Sequence, residues 1–181
     1  MVGGEAYPVP ARRFTASAEL PGARPVATSM SQAPLTAPRL AKIVDRFHSA
    51  PKELRVQALL AFSKKVPALP EEYGQDRSRL ERVHECQTPF FVATRLDTAG
   101  AVHLHFDAPE ESPTIRGFAG ILYDGLEGEP AEVVLSVPPD FYARMGLETV
   151  VSPQRLNGMS AILGRIQRQV REQAEKRATT T

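Results

Sequence analysis

The chain contains a single cysteine, Cys86, in the run Arg82-Val83-His84-Glu85-Cys86-Gln87-Thr88-Pro89. A thiolate is a strong nucleophile, and its reactivity depends on how much of it is ionised and on whether a reactant can reach it. Cys86 falls between a polar stretch and the start of an apolar, β-branched segment, which places it near the surface instead of inside an apolar helix face. In an extended segment Arg82, His84 and Cys86, spaced by two, share one side. Positive neighbours there would favour the thiolate, and an adjacent Glu85 would oppose it. The blander alternative is a small buried hydrophobe, a common fate of free cysteine.

Two other uses of the thiol need partners. A hydrolytic cysteine requires a histidine base within hydrogen-bond reach and a group to orient it. His84, His103 and His105 are available, but no strained nucleophile turn or glycine-rich oxyanion segment accompanies Cys86. A metal- or cluster-binding scaffold could draw ligands from Cys86, His103, His105 and Asp107, since the two histidines share a strand face. There is no CxxC pair, and surface strand histidines are the plainer reading. No P-loop, dinucleotide-binding glycine pattern or HExxH is present. Lys64-Lys65 and Arg165, Arg168 and Arg171 read as solvated helix faces or part of a docking surface.

The elements that must position Cys86 follow from periodicity. Leu40, Ile43, Val44 and Phe47 mark one face of a helix. Ser49-Ala50-Pro51 stops it and starts a second, with Val56, Leu59, Leu60 and Phe62 among its apolar residues, ended by Pro67 and Pro70. Glu71 to Arg82 is polar and reads as loop, and residues 80–85 can add a short strand. Phe90 to Leu96 and Val102 to Phe106, joined by Asp97-Thr98-Ala99-Gly100, read as a hairpin. Ser112-Pro113 has cap and first-turn chemistry for a further helix, with Ile115, Phe118, Ala119 and Leu122 on one face. Within it Gly117 and Gly120 suit the close approach of another backbone, and Gly125 and Gly128 end it. Pro130 to Leu135 and Pro139 to Met145 look like short helical pieces. Ser152-Pro153 opens a last helix that buries Met159, Leu163, Ile166 and Val170. The expected class is α+β, a small antiparallel meander sheet packed against several helices.

Composition bounds the rest. An apolar fraction of 42% supports a real core, and a formal net charge of +1 gives no electrostatic reason to expect nucleic acid or an anionic membrane. No apolar run approaches the length of a membrane span, and a lone cysteine does not suggest a disulfide-stapled secreted fold, so a reducing, cytoplasmic setting is expected. Residues 1–34, rich in Gly, Pro, Ala and Ser, are expected to form a disordered tail or an upstream extension. The domain then covers 35–173, and 174–181 should fray.

From Val83 to Phe91 the chain resembles the SufE family of sulfur-acceptor proteins, which carry Gly-Cys-Gln-Ser before a hydrophobic, Trp-containing strand. Leu69-Pro70-Glu71-Glu72-Tyr73 is similar to that family's proline-flanked end of the second helix. Ser152-Pro153-Gln154-Arg155-Leu156-Asn157-Gly158-Met159 is similar to its SPxRxNG segment. Three separated matches in the same order, over roughly residues 35–172, make the resemblance specific, and nearest to an actinobacterial branch with Glu-Cys-Gln. It implies a SufE/NifU-like fold with no cofactor of its own. It also implies a sulfur-transfer accessory role. Cys86 would take persulfide sulfur from a PLP-dependent, SufS-like cysteine desulfurase, stimulate that enzyme, and deliver sulfur to a SufB-type scaffold for iron–sulfur cluster assembly. Arg155 matches the family arginine that reaches toward the desulfurase, and Glu85 and Gln87 flank the thiol as partner contacts. The departures are Glu85 for glycine, Thr88 for serine and Phe91 for tryptophan. Of these, Glu85 should stiffen the cysteine loop and change its charge.

Overall fold

The computed structural model describes residues 35–180, and the N-terminal tail or extension expected over residues 1–34 lies outside them. Helix α1, Pro38–Ser49, buries the four residues its spacing selects, Leu40, Ile43, Val44 and Phe47. Helix α2, Lys52–Ser63, follows after one corner, where Arg55 donates to the carbonyls of Phe47, His48 and Gly146. Its apolar content exceeds what it buries. Leu59 is the residue it buries fully, while Leu54, Val56 and Leu60 are exposed at 49%, 39% and 36%. Apolar residues occur all round this helix, so periodicity alone could not choose its inner face.

The polar stretch expected to be loop instead holds helix α3, Glu71–Gln75, which buries Tyr73 against Leu80 and Ala93. Strands β1, Glu81–Arg82, β2, Phe91–Leu96, and β3, Val102–Asp107, form an antiparallel sheet in that order, with Arg82 opposite Phe91 and Phe91 opposite Asp107. β3 alternates buried and half-buried residues as its period-two pattern requires.

Helix α4, Pro113–Leu126, is the centre of the helical layer and packs on α1 and α2. A Cβ at Gly117 or Gly120 would collide with the carbonyl oxygens of Leu59 and Phe62, so two backbones meet there as the spacing suggested. Gly125 does not end the helix but packs on Leu40 inside it, and Gly128, at φ 74°, follows the last turn. Helix α5, Ala131–Ser136, and two 3-10 turns lead to α6, Pro153–Thr180. Met159, Ile162, Leu163, Ile166 and Val170 of α6 are fully buried.

β1 has only two residues, so most of one edge of β2 has no strand beside it. α6 covers that edge with side chains. Gln169 Oε1 accepts from Thr94 N at 2.8 Å, and Gln173 Oε1 accepts from Leu96 N at 2.9 Å. Gln173 Nε2 donates to the Thr94 carbonyl at 3.0 Å. Arg177 donates to the carbonyls of Leu96 and Asp97. Where fraying was expected beyond Gln173, the helix therefore continues, tied to the sheet by a ladder of amides and a guanidinium. This satisfies backbone groups that would otherwise be left open.

Candidate functional site

Cys86 sits at the crest of the β1–β2 connection. The loop has two buried feet, Val83 and Phe90, joined by a 2.8 Å bond from Val83 N to Phe90 O, and Phe90 packs on Phe106 with ring centroids 5.9 Å apart. Cys86 N closes a turn onto Val83 O at 3.2 Å. That turn breaks the extended geometry expected from residue spacing. Arg82 and His84 face solvent, whereas Cys86 turns inward and is 8% exposed.

Beneath the sulfur lies Gly158 of α6. A Cβ there would stand 3.2 Å from Cys86 Sγ, so the thiol occupies space that any other residue would crowd. Beside the thiol opens a cleft of about 320 Å³. Its walls come from three places: the cysteine loop through Glu85, Gln87 and Thr88, the start of α4 through Glu111 to Ile115, and the first turns of α6 through Gln154, Arg155 and Gly158. Arg116 steadies the second wall by donating to the carbonyls of Ala108 and Ser63, at 2.6 and 3.1 Å. Two helices thus begin at the cleft, where first-turn N–H groups lack intrahelical partners and favour negative charge. Ser112 does not use its side chain to cap α4, contrary to its expected role.

Both residues flanking Cys86 are tied to α6. Glu85 Oε2 lies 2.9 Å from Arg165 Nη1, and Gln87 Nε2 donates to Gln154 Oε1 at 3.1 Å. Arg165 Nε also lies 3.2 Å from Glu81 Oε1, but the N–H is not aimed at that oxygen, so the contact is Coulombic without a hydrogen bond. Glu81 in turn pairs with Arg168, which holds Glu172 at 2.6 Å. Arg165 and Arg168, expected on a solvated face, therefore form an ion network on the cysteine side of α6, and Arg165 is only 17% exposed. Lys65 likewise pairs with Asp124 at 2.7 Å.

Electrostatics here protect the thiol. Burial first, and the Glu85 carboxylate second, push the Cys86 pKa up to about 11, with Arg165 opposing. At neutral pH such a value leaves about one thiol in ten thousand ionised. The carboxyl of Glu85 is held below the usual range by its own backbone N–H and by Arg165. In this position the sulfur is sheltered and its neutral thiol form is favoured.

The other candidate residues do not join this site. No histidine is among the residues lining the cleft. His103 is held between two carboxylates, Nδ1 at 2.7 Å from Glu127 Oε1 and Nε2 at 3.1 Å from Asp97 Oδ2. His105 packs on Tyr73 with centroids 4.7 Å apart and the rings tilted by 38°, and its buried Nε2 has no hydrogen-bond partner. Asp107 pairs in the ladder opposite Phe91. Among the described residues no group of three or more His, Cys, Asp or Glu side chains is arranged to hold a metal ion, so the ligand set of Cys86, His103, His105 and Asp107 is not assembled. Glu85, Cys86, Gln87 and Arg155 do line one cleft, and Arg155 is exposed at its rim. Sequence reasoning missed Gly158 as the sulfur's neighbour, and Arg165. The one available signal was a helical stripe, residues 154, 158 and 165, facing acidic residues far away in sequence.

Known proteins share this architecture. Residues 41–170 match the SufE family, described as an Fe-S metabolism associated domain. An uncharacterized SufE-like protein of Mycobacterium tuberculosis is 46% identical over 140 residues, spanning 77% of this chain and 96% of that one. The cysteine desulfuration protein SufE of Plasmodium vivax is 27% identical over 150 residues, spanning 81% of this chain and 59% of that one. The solution structure of a hypothetical protein from Thermus thermophilus superimposes with a TM-score of 0.67 at 50% identity, covering 75% of this chain and 96% of that one.

Proposed function

The chain belongs to the SufE family, and on that premise we propose that Cys86 is a sulfur-accepting nucleophile that serves a PLP-dependent cysteine desulfurase. The observation that carries the reading is the sole cysteine, on a loop with buried feet, sheltered at the wall of a cleft that a partner could enter. The Cys86 thiolate attacks the outer sulfur of the partner's persulfide. One S–S bond breaks, the partner's cysteine leaves as a thiolate, and a new S–S bond forms on Cys86. With no second thiol in the chain, the product cannot collapse into an internal disulfide. Cys86 then passes the outer sulfur to an acceptor thiol on a SufB-type scaffold, for iron–sulfur cluster assembly, and regenerates its own thiolate.

The protein acts as an accessory to the desulfurase, not as an enzyme in its own right. By removing sulfur from the desulfurase cysteine it lets the next turnover begin. Arg155, exposed at the rim, offers paired N–H groups to a partner carboxylate, and Glu85 and Gln87 border the same opening. The high resting pKa fits this role, because a thiol that ionises only when drawn out of its shelter resists stray oxidants and electrophiles. A reducing cytoplasm suits the exchange. Among the described residues no helix is long and apolar enough to cross a membrane.

The test is direct. Incubation with a SufS-type desulfurase and free cysteine should add one sulfur, about 32 Da by intact mass, to the native chain and nothing to Cys86→Ser. A native chain that gains no mass, or a Cys86→Ser chain that gains as much, would sink the reading.

A further inference from the structure

We propose that Arg165 is a positioning residue, and that its ion pair with Glu85 is a latch holding the Cys86 loop down on α6. The inference rests on the sulfur-acceptor reading for its purpose, but not for its test. The geometry is specific. Glu85 and Cys86 are adjacent, so a side chain that fixes Glu85 fixes the crest of the loop. Arg165 is itself held, being 17% exposed and within 3.2 Å of Glu81 on β1, the strand from which the loop departs. The guanidinium therefore bridges the loop's root and its crest, at Glu81 and Glu85, from one anchor point on α6. The opposite flank is tied by the amide pair Gln87–Gln154, which is exposed. The crest's remaining hydrogen bonds among the described residues are local, from Cys86 N to Val83 O and from Glu85 N–H to its own carboxylate.

Such a latch differs in kind from a purely structural ion pair. Glu85 is 39% exposed, so a charged or crowded partner surface can compete for it. Releasing it frees the residue next to the sulfur while the buried feet, Val83 and Phe90, stay in place. The loop can then rise without the sheet unfolding.

Latching and simple charge effects predict different signs. Glu85 disfavours the thiolate and Arg165 favours it. If these residues acted only through their fields, Glu85→Gln would speed alkylation of Cys86 by iodoacetamide at pH 8, and Arg165→Gln would slow it. If they form a latch, both variants speed alkylation, by about two- to five-fold, the range expected for losing a partly exposed ion pair. The double variant would gain no more than either single, since the pair is broken once. Arg165→Lys, which keeps the charge, would return the rate to near native. Raising ionic strength would speed the native protein but not the variants. Circular dichroism checks the fold of each variant. Should Arg165→Gln unfold because it also faces Glu81, hydrogen exchange at Cys86 N in Glu85→Gln decides, since the turn bond to Val83 O opens only if the loop is released: faster exchange supports the latch and unchanged exchange overturns it. Opposite-signed changes, unchanged rates, or a salt-independent native rate would overturn the latch. None of these measurements contains a desulfurase, so the latch can fail while sulfur acceptance stands, and sulfur acceptance can fail while the latch stands.

Discussion

The two ends of β2 are gripped by the same helix in different ways. At the hairpin end, α6 reaches the main chain itself: Gln169, Gln173 and Arg177 take over hydrogen bonds that a neighbouring strand would make. On the cysteine loop beyond the other end, α6 holds side chains, Glu85 through an ion pair and Gln87 through an amide. Main-chain pairing at a half-buried edge is costly to break, because the freed N–H and C=O groups lose water as well as partner. Side-chain ties at a solvent-exposed loop exchange readily with water. One end of the sheet is thus built to stay closed and the other to let go.

The largest effect should come from breaking the fixed end. Gln173→Ala leaves Leu96 N and Thr94 O without partners and should cost about 2 kcal/mol in urea unfolding, whereas Gln154→Ala, the corresponding tie at the cysteine end, should stay within about 0.5 kcal/mol. Equal costs at the two ends would erase the contrast.

A smaller effect is carried by pH, on the hairpin face alone. Hydrogen bonds that His103 donates to Glu127 and Asp97 raise its pKa, and burial lowers that of His105. For His103 the folded state binds its proton more tightly than the unfolded chain, so its contribution is complete below about pH 6.5 and fades as pH rises through the raised folded value. For His105 the sign reverses: the unfolded chain takes up the proton first, so stability is lost as pH falls through about 6.5. Between pH 6 and 8, His103→Gln should leave a protein whose stability rises with pH, and His105→Gln one whose stability falls, each by no more than about 1 kcal/mol. Thermal melts across that range would show it. Parallel slopes in the two variants would mean that the two histidines do not differ in this way.

The smallest stability change is expected at Gly158→Ala. Alanine is the better helix former by about 1 kcal/mol, but its Cβ would meet Cys86 Sγ at 3.2 Å. The loop, being the releasable end, should yield. Unfolding free energy should stay nearly native while iodoacetamide labels Cys86 faster. A large loss of stability with unchanged labelling would show that the loop cannot give.

What the sequence disclosed tracks how local each signal is. The core faces of α1 and β3 and the buried side of α6 were readable because their periods repeat over several turns or residues. The backbone contacts at Gly117 and Gly120 were readable because glycine in a helix is costly without a reason. Helix α3 was not, since five residues around one buried Tyr73 carry no period. The inward turn of Cys86 was not, since a turn after a two-residue strand cancels the alternation that would have exposed it. Arg165 looked like one arginine among several, because its partners, Glu81 and Glu85, lie some eighty residues earlier and meet it only in the folded chain.

Gln154, Gly158, Arg165, Gln169, Gln173 and Arg177 succeed one another along α6 at intervals of four and seven residues, so they form one slowly winding seam. Each residue added to a helix rotates the remainder of it by about 100°. An insertion or deletion of one residue between Arg165 and Gln169 would swing the thiol's floor and the strand's cover out of phase, even with every side chain retained. Residue identities along the seam can be exchanged one at a time, but the number of residues between its two halves is fixed by rotation.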